Sequence, residues 1–223
     1  GMARGPAPGA PGRGARVVGL AGGICSGKST VRELLGRWGA ATLDADRLGH
    51  RCYEKGSACL REVLELFGQG VLGADGELDR AALGAIVFSD PAQLERLSRV
   101  TWPHIRGMIR EEAARHRAGP GAGVLVVEAA VLVEAGWEDL FDEVWVACVS
   151  PEVARERLMA RGGLPAAEAE KRVAAQAPNG PRLAKASVVL WNDGSRQELE
   201  AAVGAAWAGL RGRMGAAEPR PRL

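Results

Sequence analysis

Four residues near the start of the chain have the types and the spacing that bind phosphate groups. The P-loop pattern G-x-x-x-x-G-K-S/T is matched by Gly22, Gly27, Lys28 and Ser29. Glycines let the backbone wrap around phosphate oxygens in conformations that a Cβ atom would obstruct. The helix that begins near Lys28 directs unpaired N–H groups at the same anion. The pattern therefore predicts a site for a nucleoside triphosphate.

The chemistry of a P-loop gives each kind of residue in this segment a task. We expect Lys28 to contact the β- and γ-phosphates and the Ser29 hydroxyl to bind Mg²⁺. Contacts to the nucleotide are expected from Gly22, Gly23, Ile24, Cys25, Ser26, Gly27, Lys28, Ser29 and Thr30. The alternative is a glycine-rich turn without a ligand. A strand-like V-V-G-L before the loop and a helix-like V-R-E-L-L after it favour the P-loop.

Acidic residues follow two further apolar segments that are predicted to be strands. Asp44 and Asp46 come after the second strand, and Glu128 comes after the third. Because ligands of open α/β sheets bind beyond the carboxyl ends of the strands, we expect all three acids to face the nucleotide or its acceptor. D-A-D could instead cap the helix that follows. Glu128 could hold a metal-bound water or pair with an arginine.

Basic side chains supply candidate partners for the charge that develops in phosphoryl transfer. The arginines that could form a lid over the phosphates are Arg155, Arg157, Arg161, Arg172 and Arg182. We expect one or two of them to act and the others to be solvated. The three histidines show no triad or metal-ligand spacing. His50 is the best candidate for a functional histidine because it follows D-A-D, whereas His104 and His116 are expected to be structural.

Five short apolar segments alternate with helical patterns, which predicts an α/β fold: a parallel sheet with helices on both faces. The expected strands are 16–21, 40–43, 124–127, 144–149 and 187–190. Residues 57–117 read as an inserted helical subdomain in which Pro103 is expected to break or kink a helix at Trp102. We expect a disordered leader at 1–15, a domain at 16–211, a lid at 153–177 and a loose tail at 212–223.

Charge, cysteine content and hydropathy indicate which partners and which cellular compartment to expect. The net charge of +2 gives no argument for nucleic acid as a partner. Four cysteines without C-x-x-C spacing predict free thiols in a reducing compartment, so we expect a cytoplasmic location and leave mitochondrial association open. The longest apolar run, 124–133, contains a glutamate and is far shorter than the ~20 residues of a membrane span.

The jointly spaced motifs resemble dephospho-CoA kinase over roughly residues 16–210. The matching segments are G-L-A-G-G-I-C-S-G-K-S-T at 19–30, D-A-D-R-L-G-H at 44–50, R-V-A-A-Q at 172–176, R-L-A-K-A at 182–186 and N-D-G at 192–194. Two segments, T-W-P-H-I at 101–105 and E-A-A-V-L-V-E-A-G-W at 128–137, are most similar to the kinase domain of animal bifunctional CoA synthase. In that protein an adenylyltransferase domain precedes the kinase, so we expect either a kinase alone or a fragment of a longer protein.

This resemblance implies a P-loop kinase fold, ATP and Mg²⁺ as cofactors, and dephospho-CoA as the acceptor of the γ-phosphate at its ribose 3′-hydroxyl. Asp46 matches the acid that acts as base or positioner of that hydroxyl, and Arg161 matches the lid arginine that neutralises the transferring charge. Asn192 lies in the turn that contacts adenine. The helical insert corresponds to the region that receives the acceptor, and Asp44, His50 and Glu128 are expected to bind it.

Two other functions fit the P-loop. One is a small-molecule kinase of another kind, acting on a nucleoside or on shikimate, which the large insert and the N-D-G turn disfavour. The other is a GTPase or a non-catalytic nucleotide-binding module. That reading is disfavoured because the guanine-specificity motif N-K-x-D is absent from the sequence.

Overall fold

The computed structural model describes residues 14–119 and 123–215. A five-stranded sheet in the order β2-β3-β1-β4-β5 forms its centre. The strands are β1 (Arg16–Gly22), β2 (Ala41–Asp44), β3 (Val124–Glu128), β4 (Glu143–Cys148) and β5 (Val188–Trp191). The β1–β3, β1–β4 and β4–β5 pairs are parallel. The predicted α/β class and the predicted strands are therefore confirmed, with strand ends that differ by one residue.

Nine α-helices occur in the part of the chain that the structure describes. They are α1 (Lys28–Arg37), α2 (Ala45–Cys52), α3 (Ala58–Phe67), α4 (Arg80–Val87), α5 (Pro91–Ala118), α6 (Pro151–Gly162), α7 (Ala166–Ala174), α8 (Asn179–Lys185) and α9 (Arg196–Gly215). Two 3₁₀ turns cover Gln69–Val71 and Glu138–Leu140. Within the described residues, no helix combines the length and the apolar character needed to cross a membrane.

Polar residues before the helices determine where several of them begin. Asp90 accepts a hydrogen bond from the Ala92 amide at 2.9 Å, and α5 begins with Pro91, as the sequence predicts. Ser150 caps α6 in the same way, with its hydroxyl 3.4 Å from the Val153 amide. These caps satisfy N–H groups that have no partner inside the helix.

The predicted break of the helix at Pro103 is wrong, whereas the alternative of a kink stays a prediction. α5 is continuous from Pro91 to Ala118 with Pro103 inside it. Proline removes one backbone hydrogen bond and leaves the carbonyl of Arg99 without its helical donor. Because Pro103 and Arg99 are both exposed, this loss falls on the solvent side of the helix, where it is least costly.

The C-terminal helix is also longer than expected. α9 continues to Gly215, so residues 212–215 of the expected tail are helical. The remaining tail, 216–223, lies outside the described residues, as do residues 1–13 of the expected leader.

The described part of the chain divides into two compact units, one of residues 44–112 and one of residues 14–43, 113–119 and 123–215. In the sheet-containing unit, Leu20, Val126 and Trp145 pack with α1 and α9 in a core that excludes water. The smaller unit is helical and has its own core, made by Cys52, Cys59, Val63, Val71, Leu83 and Val87. Each unit therefore has an apolar core of its own.

Candidate functional site

The predicted P-loop connects the end of β1 with the start of α1. Gly22 and Gly27 have φ angles of +156° and +89°. A Cβ atom on Gly22 would overlap the carbonyl oxygen of Ala147, and one on Gly27 would overlap the Asn192 amide. Glycine is therefore required at both positions for two reasons: neighbouring atoms leave no space for a Cβ atom, and the positive φ angles disfavour residues with a side chain. Cys25 also has a positive φ, +55°, which is uncommon for a residue with a side chain.

Side chains of the loop itself close it into a compact turn. The Lys28 ammonium donates hydrogen bonds to the carbonyls of Gly22 at 2.8 Å and Gly23 at 3.0 Å. The buried Ser26 hydroxyl donates to the Gly23 carbonyl at 2.9 Å. These contacts gather carbonyl groups on one side, so that the loop can present amide hydrogens to an anion on the other side.

Three side chains from distant parts of the chain hold the loop from outside, and we call them the loop brace. Gln176 accepts a hydrogen bond from the Ile24 amide at 3.0 Å. Arg157 donates to the Cys25 carbonyl at 3.3 Å, and the Asn192 amide donates to the Ser26 carbonyl at 3.0 Å. Arg157 also donates to Asn192 Oδ1 at 3.4 Å. The brace therefore fixes three consecutive residues of the P-loop, including the strained Cys25.

Removal of Arg157 should weaken nucleotide binding without unfolding the protein. Arg157→Ala takes away donors to the Cys25 carbonyl and to Asn192, and hydrogen bonds from charged groups contribute about 1.5–3 kcal/mol. We expect the Kd for ATP to rise about tenfold, as measured by equilibrium titration. The control is Arg37→Ala, which removes only an exposed ion pair with Glu200 and should leave Kd unchanged. Unchanged binding by Arg157→Ala would contradict the role of the brace.

Glu128 lies beside the P-loop helix at the end of β3. Its Oε1 atom accepts a hydrogen bond from the Ser29 hydroxyl at 3.3 Å, and its Oε2 atom lies 2.6 Å from Arg32 Nε. β1 and β3 are in register there, with Leu20 opposite Glu128. The predicted proximity of Glu128 to the P-loop is thus observed, and so is the alternative that it pairs with an arginine.

Ser29 and Glu128 form a small cluster of oxygen atoms next to the P-loop. Hard cations such as Mg²⁺ prefer oxygen ligands, and Mg²⁺ in kinases uses few protein ligands together with substrate phosphates and water. Among residues 14–119 and 123–215, no group of three or more His, Cys, Asp or Glu side chains could hold a metal by itself. The donor set suits a cation that binds together with a triphosphate.

The five candidate lid arginines have different surroundings. Arg155 pairs with Glu170, and Arg172 pairs with Glu168, so both act within the pair of helices α6 and α7. Arg182 is buried and pairs with Glu134, which corrects the expectation that it belongs to a mobile lid. Arg157 belongs to the brace. Arg161 is exposed and, within the described part of the chain, makes no ion pair or hydrogen bond.

A cavity of about 710 Å³ opens above the P-loop and is large enough for a nucleotide. Besides the loop residues 23–30, it is lined by Arg157, Ala160 and Arg161 of α6 and by Asn192, Gly194, Arg196 and Leu199. The cavity therefore brings together the predicted P-loop residues with the predicted Arg161 and Asn192. Arg157 and Asn192 are already committed to the loop, whereas Arg161 can turn toward a ligand.

The turn at 192–194 and the start of α9 are held by a capping box. The Ser195 hydroxyl accepts a hydrogen bond from the Glu198 amide at 3.2 Å, and the Glu198 carboxylate accepts one from the Ser195 amide at 2.7 Å. The Ser195 hydrogen bonds hold the pKa of Glu198 below its usual value. A Cβ atom on Gly194 would overlap this carboxylate, which explains the glycine in N-D-G.

Asp44, Asp46 and His50 lie in the helical unit and are described within it. Asp44 is the N-cap of α2 and accepts a hydrogen bond from the Asp46 amide at 3.0 Å, so the capping alternative is correct for Asp44. Asp46 is exposed in the first turn of α2, and His50 is exposed in its last turn.

The two remaining histidines have local partners. His104 Nε2 lies 3.0 Å from Glu62 Oε1, and His116 Nε2 lies 3.1 Å from the Gly123 carbonyl. Both contacts agree with the expected structural roles.

Several cavity and brace residues were not predicted from the sequence. Gln176 contacts a residue that is 152 positions away, and Arg196 and Leu199 line the cavity from α9. The position of Arg196 two residues after the N-D-G turn was the only signal for it. Nothing local marks Gln176 as a partner of Ile24, since its contact depends on how α7 packs.

Comparison with known proteins gives consistent results for sequence and structure. The family model described as dephospho-CoA kinase matches residues 16–198. A dephospho-CoA kinase from Geobacter sulfurreducens is 44% identical over 192 residues, which are 86% of this chain and 97% of the relative.

Two solved structures extend the comparison to the fold. TT1252 from Thermus thermophilus is 37% identical with a TM-score of 0.71, covering 88% of this chain and 98% of that chain. A shikimate kinase from Bacteroides thetaiotaomicron covers the same shares with a TM-score of 0.53; at 16% identity it shares the fold alone.

Proposed function

This chain belongs to the dephospho-CoA kinase family, and we propose how its residues divide the work of phosphoryl transfer. The protein is a kinase that uses ATP to phosphorylate the ribose 3′-hydroxyl of dephospho-CoA, the final step of CoA synthesis. The observation that carries the assignment of roles is the cavity above the P-loop, where the loop, Lys28 and Arg161 converge. The loop holds the donor phosphates, and the helical unit receives the acceptor.

The donor side of the reaction rests on the P-loop. Its amides and the N-terminus of α1 bind the phosphates of ATP, and the brace keeps those amides in place before the nucleotide arrives. Lys28 moves its ammonium group from the carbonyls of Gly22 and Gly23 to the β- and γ-phosphates. This exchange is favourable because a phosphate carries a full negative charge and a carbonyl only a partial one.

Arg161 completes the positive surroundings of the transferring group. It lies in the last turn of α6, which α7 follows after Gly163. Gly163 has a φ of +59°, a conformation that favours glycine and lets the chain turn sharply between the two helices. We assign residues 153–177 to a lid in which Arg161 contacts the γ-phosphate, while Arg155 and Arg172 maintain the lid through Glu170 and Glu168.

We assign Mg²⁺ to the oxygen atoms beside the P-loop. Ser29 would be its protein ligand, and Glu128 would hold the surrounding water while Arg32 fixes the orientation of that carboxylate. When bound, Mg²⁺ offsets the charge of the triphosphate and orients it. The protein supplies one hydroxyl and one carboxylate, which agrees with the few protein ligands that Mg²⁺ uses in kinases.

The Glu128→Gln variant tests this assignment. The amide keeps a hydrogen bond with Ser29 but loses the charge, so the Mg²⁺ concentration for half-maximal activity should rise about tenfold. Steady-state rates over a Mg²⁺ titration at saturating ATP measure this value. Glu138→Gln, which affects only a surface pair with Lys185, is the matched control. A lowered thermal stability with an unchanged Mg²⁺ requirement would limit Glu128 to a structural role.

The acceptor side is assigned to the helical unit of residues 44–112. Asp46 is the base or positioning group for the 3′-hydroxyl, Asp44 fixes the start of α2, and His50 contacts the acceptor from the last turn of the same helix. A carboxylate suits this role because it accepts the proton of the attacking hydroxyl as the bond to phosphorus forms. The exposure of Asp46 and His50 leaves both side chains accessible to a ligand.

An acceptor panel tests the function as a whole. ADP release is measured with dephospho-CoA, adenosine and shikimate at equal concentrations, with ATP or GTP as donor. We expect turnover with ATP and dephospho-CoA and little with the other acceptors. Turnover with a nucleoside or shikimate but not with dephospho-CoA would overturn the assignment, and a strong preference for GTP would favour a GTP-binding module.

A further inference from the structure

Two cysteines of the helical unit, Cys52 and Cys59, lie in the same buried core although six residues separate them in the sequence. Cys52 is the last residue of α2, and Cys59 lies in the first turn of α3. The Ser57 hydroxyl donates to the Cys52 carbonyl at 2.6 Å and accepts from the Leu60 amide at 3.0 Å, which folds the connection back on itself. As a result both cysteines lie in one apolar core and line one cavity, and a hydrogen bond between the two thiols shifts the pKa of each.

A cavity gives small molecules access to this pair. It has a volume of about 320 Å³, and its lining includes both cysteines together with Arg51, His104, Met108 and Glu111. The cysteines themselves are only 3% and 2% exposed, so a reagent must enter through the cavity to meet them. All of these residues belong to the helical unit, so the cavity is a property of that unit alone.

The shared hydrogen bond makes the two thiols chemically unequal. The hydrogen bond from Cys59 lowers the pKa of Cys52, against the effects of burial and of nearby Glu62. The same hydrogen bond, with burial second, raises the pKa of Cys59. Cys52 is therefore the better nucleophile, since the thiolate is the reactive form, and Cys59 retains its proton.

Cys148 provides an internal comparison. It is buried in β4, and burial raises its pKa. The described residues give it no thiol neighbour, and all four cysteines are free. A pair of neighbouring thiols is suited to thiol–disulfide chemistry, in which one thiolate attacks and the other thiol completes the disulfide.

We propose that Cys52 and Cys59 form a modification site that reacts with small hydroperoxides and closes to a disulfide. The Cys52 thiolate attacks the outer oxygen of the hydroperoxide and the O–O bond breaks. This step gives a sulfenic acid on Cys52 and, with one proton, releases the alcohol or water. The Cys59 thiol then attacks the Cys52 sulfur, the S–O bond breaks, and water leaves with the Cys59 proton. Two thiols are oxidised, and one peroxide is reduced by two electrons.

Peptide mapping of the full-length protein tests the disulfide. The reduced protein is treated with hydrogen peroxide, alkylated and digested with trypsin, which places Cys52 in peptide 52–55 and Cys59 in peptide 56–61. We expect these two peptides to become joined and lighter than their sum by two hydrogen atoms, and dithiothreitol should separate them. The joined peptide should appear about tenfold faster than oxidised Cys148. Failure of these peptides to join, with Cys52 and Cys148 oxidised at similar rates, would overturn the proposal.

Single serine variants test which cysteine attacks. In Cys59→Ser the sulfenic acid cannot be resolved, so the sulfenic-acid reagent dimedone should label Cys52. In Cys52→Ser dimedone should not label Cys59. Cys148→Ser is the matched control and should form the disulfide at the wild-type rate. Labelling of Cys59 in place of Cys52 would refute the assigned order of attack, and the result for the wild-type protein holds even if a variant misfolds.

Discussion

Lys28→Ala is expected to lower kcat about a thousandfold, because the ammonium charge that stabilises the transferring phosphoryl group is lost. Removal of one preorganised donor that stabilises developing charge typically costs 10²–10³ in rate, and Lys28 carries a full charge to the transferring group. The sequence has only four lysines, and Lys28 is the one in the P-loop. Steady-state rates with saturating ATP and dephospho-CoA measure the loss.

The Lys28 result needs a control because this ammonium also holds the loop. Its hydrogen bonds to the Gly22 and Gly23 carbonyls are lost with the side chain, so thermal unfolding should be followed alongside activity. Lys185→Ala removes a lysine of the same unit that pairs with Glu138 at the surface, and it should retain wild-type turnover. A Lys28→Ala enzyme that keeps a tenth or more of wild-type kcat would disprove a catalytic role for this lysine.

Asp46→Asn is expected to reduce kcat by about 10²–10⁴ while the KM for ATP changes little. Asparagine has nearly the same shape as aspartate but cannot take the proton of the acceptor hydroxyl. Asp46 is exposed, and its hydrogen bond to the Asp44 carboxylate uses the backbone amide, which asparagine keeps, so the N-cap of α2 should be preserved. Initial rates over separate titrations of ATP and dephospho-CoA separate the two effects.

Two comparisons sharpen the Asp46 prediction. Asp75→Asn makes the same substitution in the same unit at an exposed aspartate that only accepts a backbone hydrogen bond from Glu77, and it should behave as wild type. An equal loss of ATP affinity and kcat in Asp46→Asn would identify Asp46 as a structural or metal-linked residue, because a group that acts only in the transition state leaves ground-state binding unchanged.

Much of the fold could be predicted from local patterns. The spacing of Gly22, Gly27 and Lys28 and the apolar segments on either side determine a strand, a loop and a helix through interactions within a few residues. The caps at Asp90 and Ser150 are equally local. Such signals depend on backbone conformation and on near neighbours, which the sequence displays directly.

The residues that support the site could not be predicted in the same way. The brace joins Gln176, Arg157 and Asn192 to loop residues that are 132 to 166 positions away. Arg182 resembles any other helical arginine in the sequence, yet it is buried against Glu134. These contacts arise from the packing of α6, α7 and α8, and no local pattern encodes the distance between two helices.

Pro103 shows that a strong local signal can also mislead. The rule that proline ends a helix holds only when the structural context makes the lost hydrogen bond costly. Proline disrupts a helix because it removes a hydrogen bond, but the cost depends on whether the unpaired carbonyl is buried. Pro103 is exposed, so α5 tolerates it.

The proximity of Cys52 and Cys59 could not be predicted from the sequence either. It depends on how the connection at 53–57 folds back, which the Ser57 hydrogen bonds determine.

The central claim is that this chain transfers the γ-phosphoryl group of ATP to the ribose 3′-hydroxyl of dephospho-CoA. The most direct measurement is phosphorus NMR and mass spectrometry of the product formed from ATP and dephospho-CoA, with 3′-deoxy-dephospho-CoA as a second acceptor. We predict one new phosphate monoester on the 3′-oxygen and no turnover of the 3′-deoxy compound. A phosphate on the 2′-oxygen, or ADP release without a phosphorylated acceptor, would contradict the account.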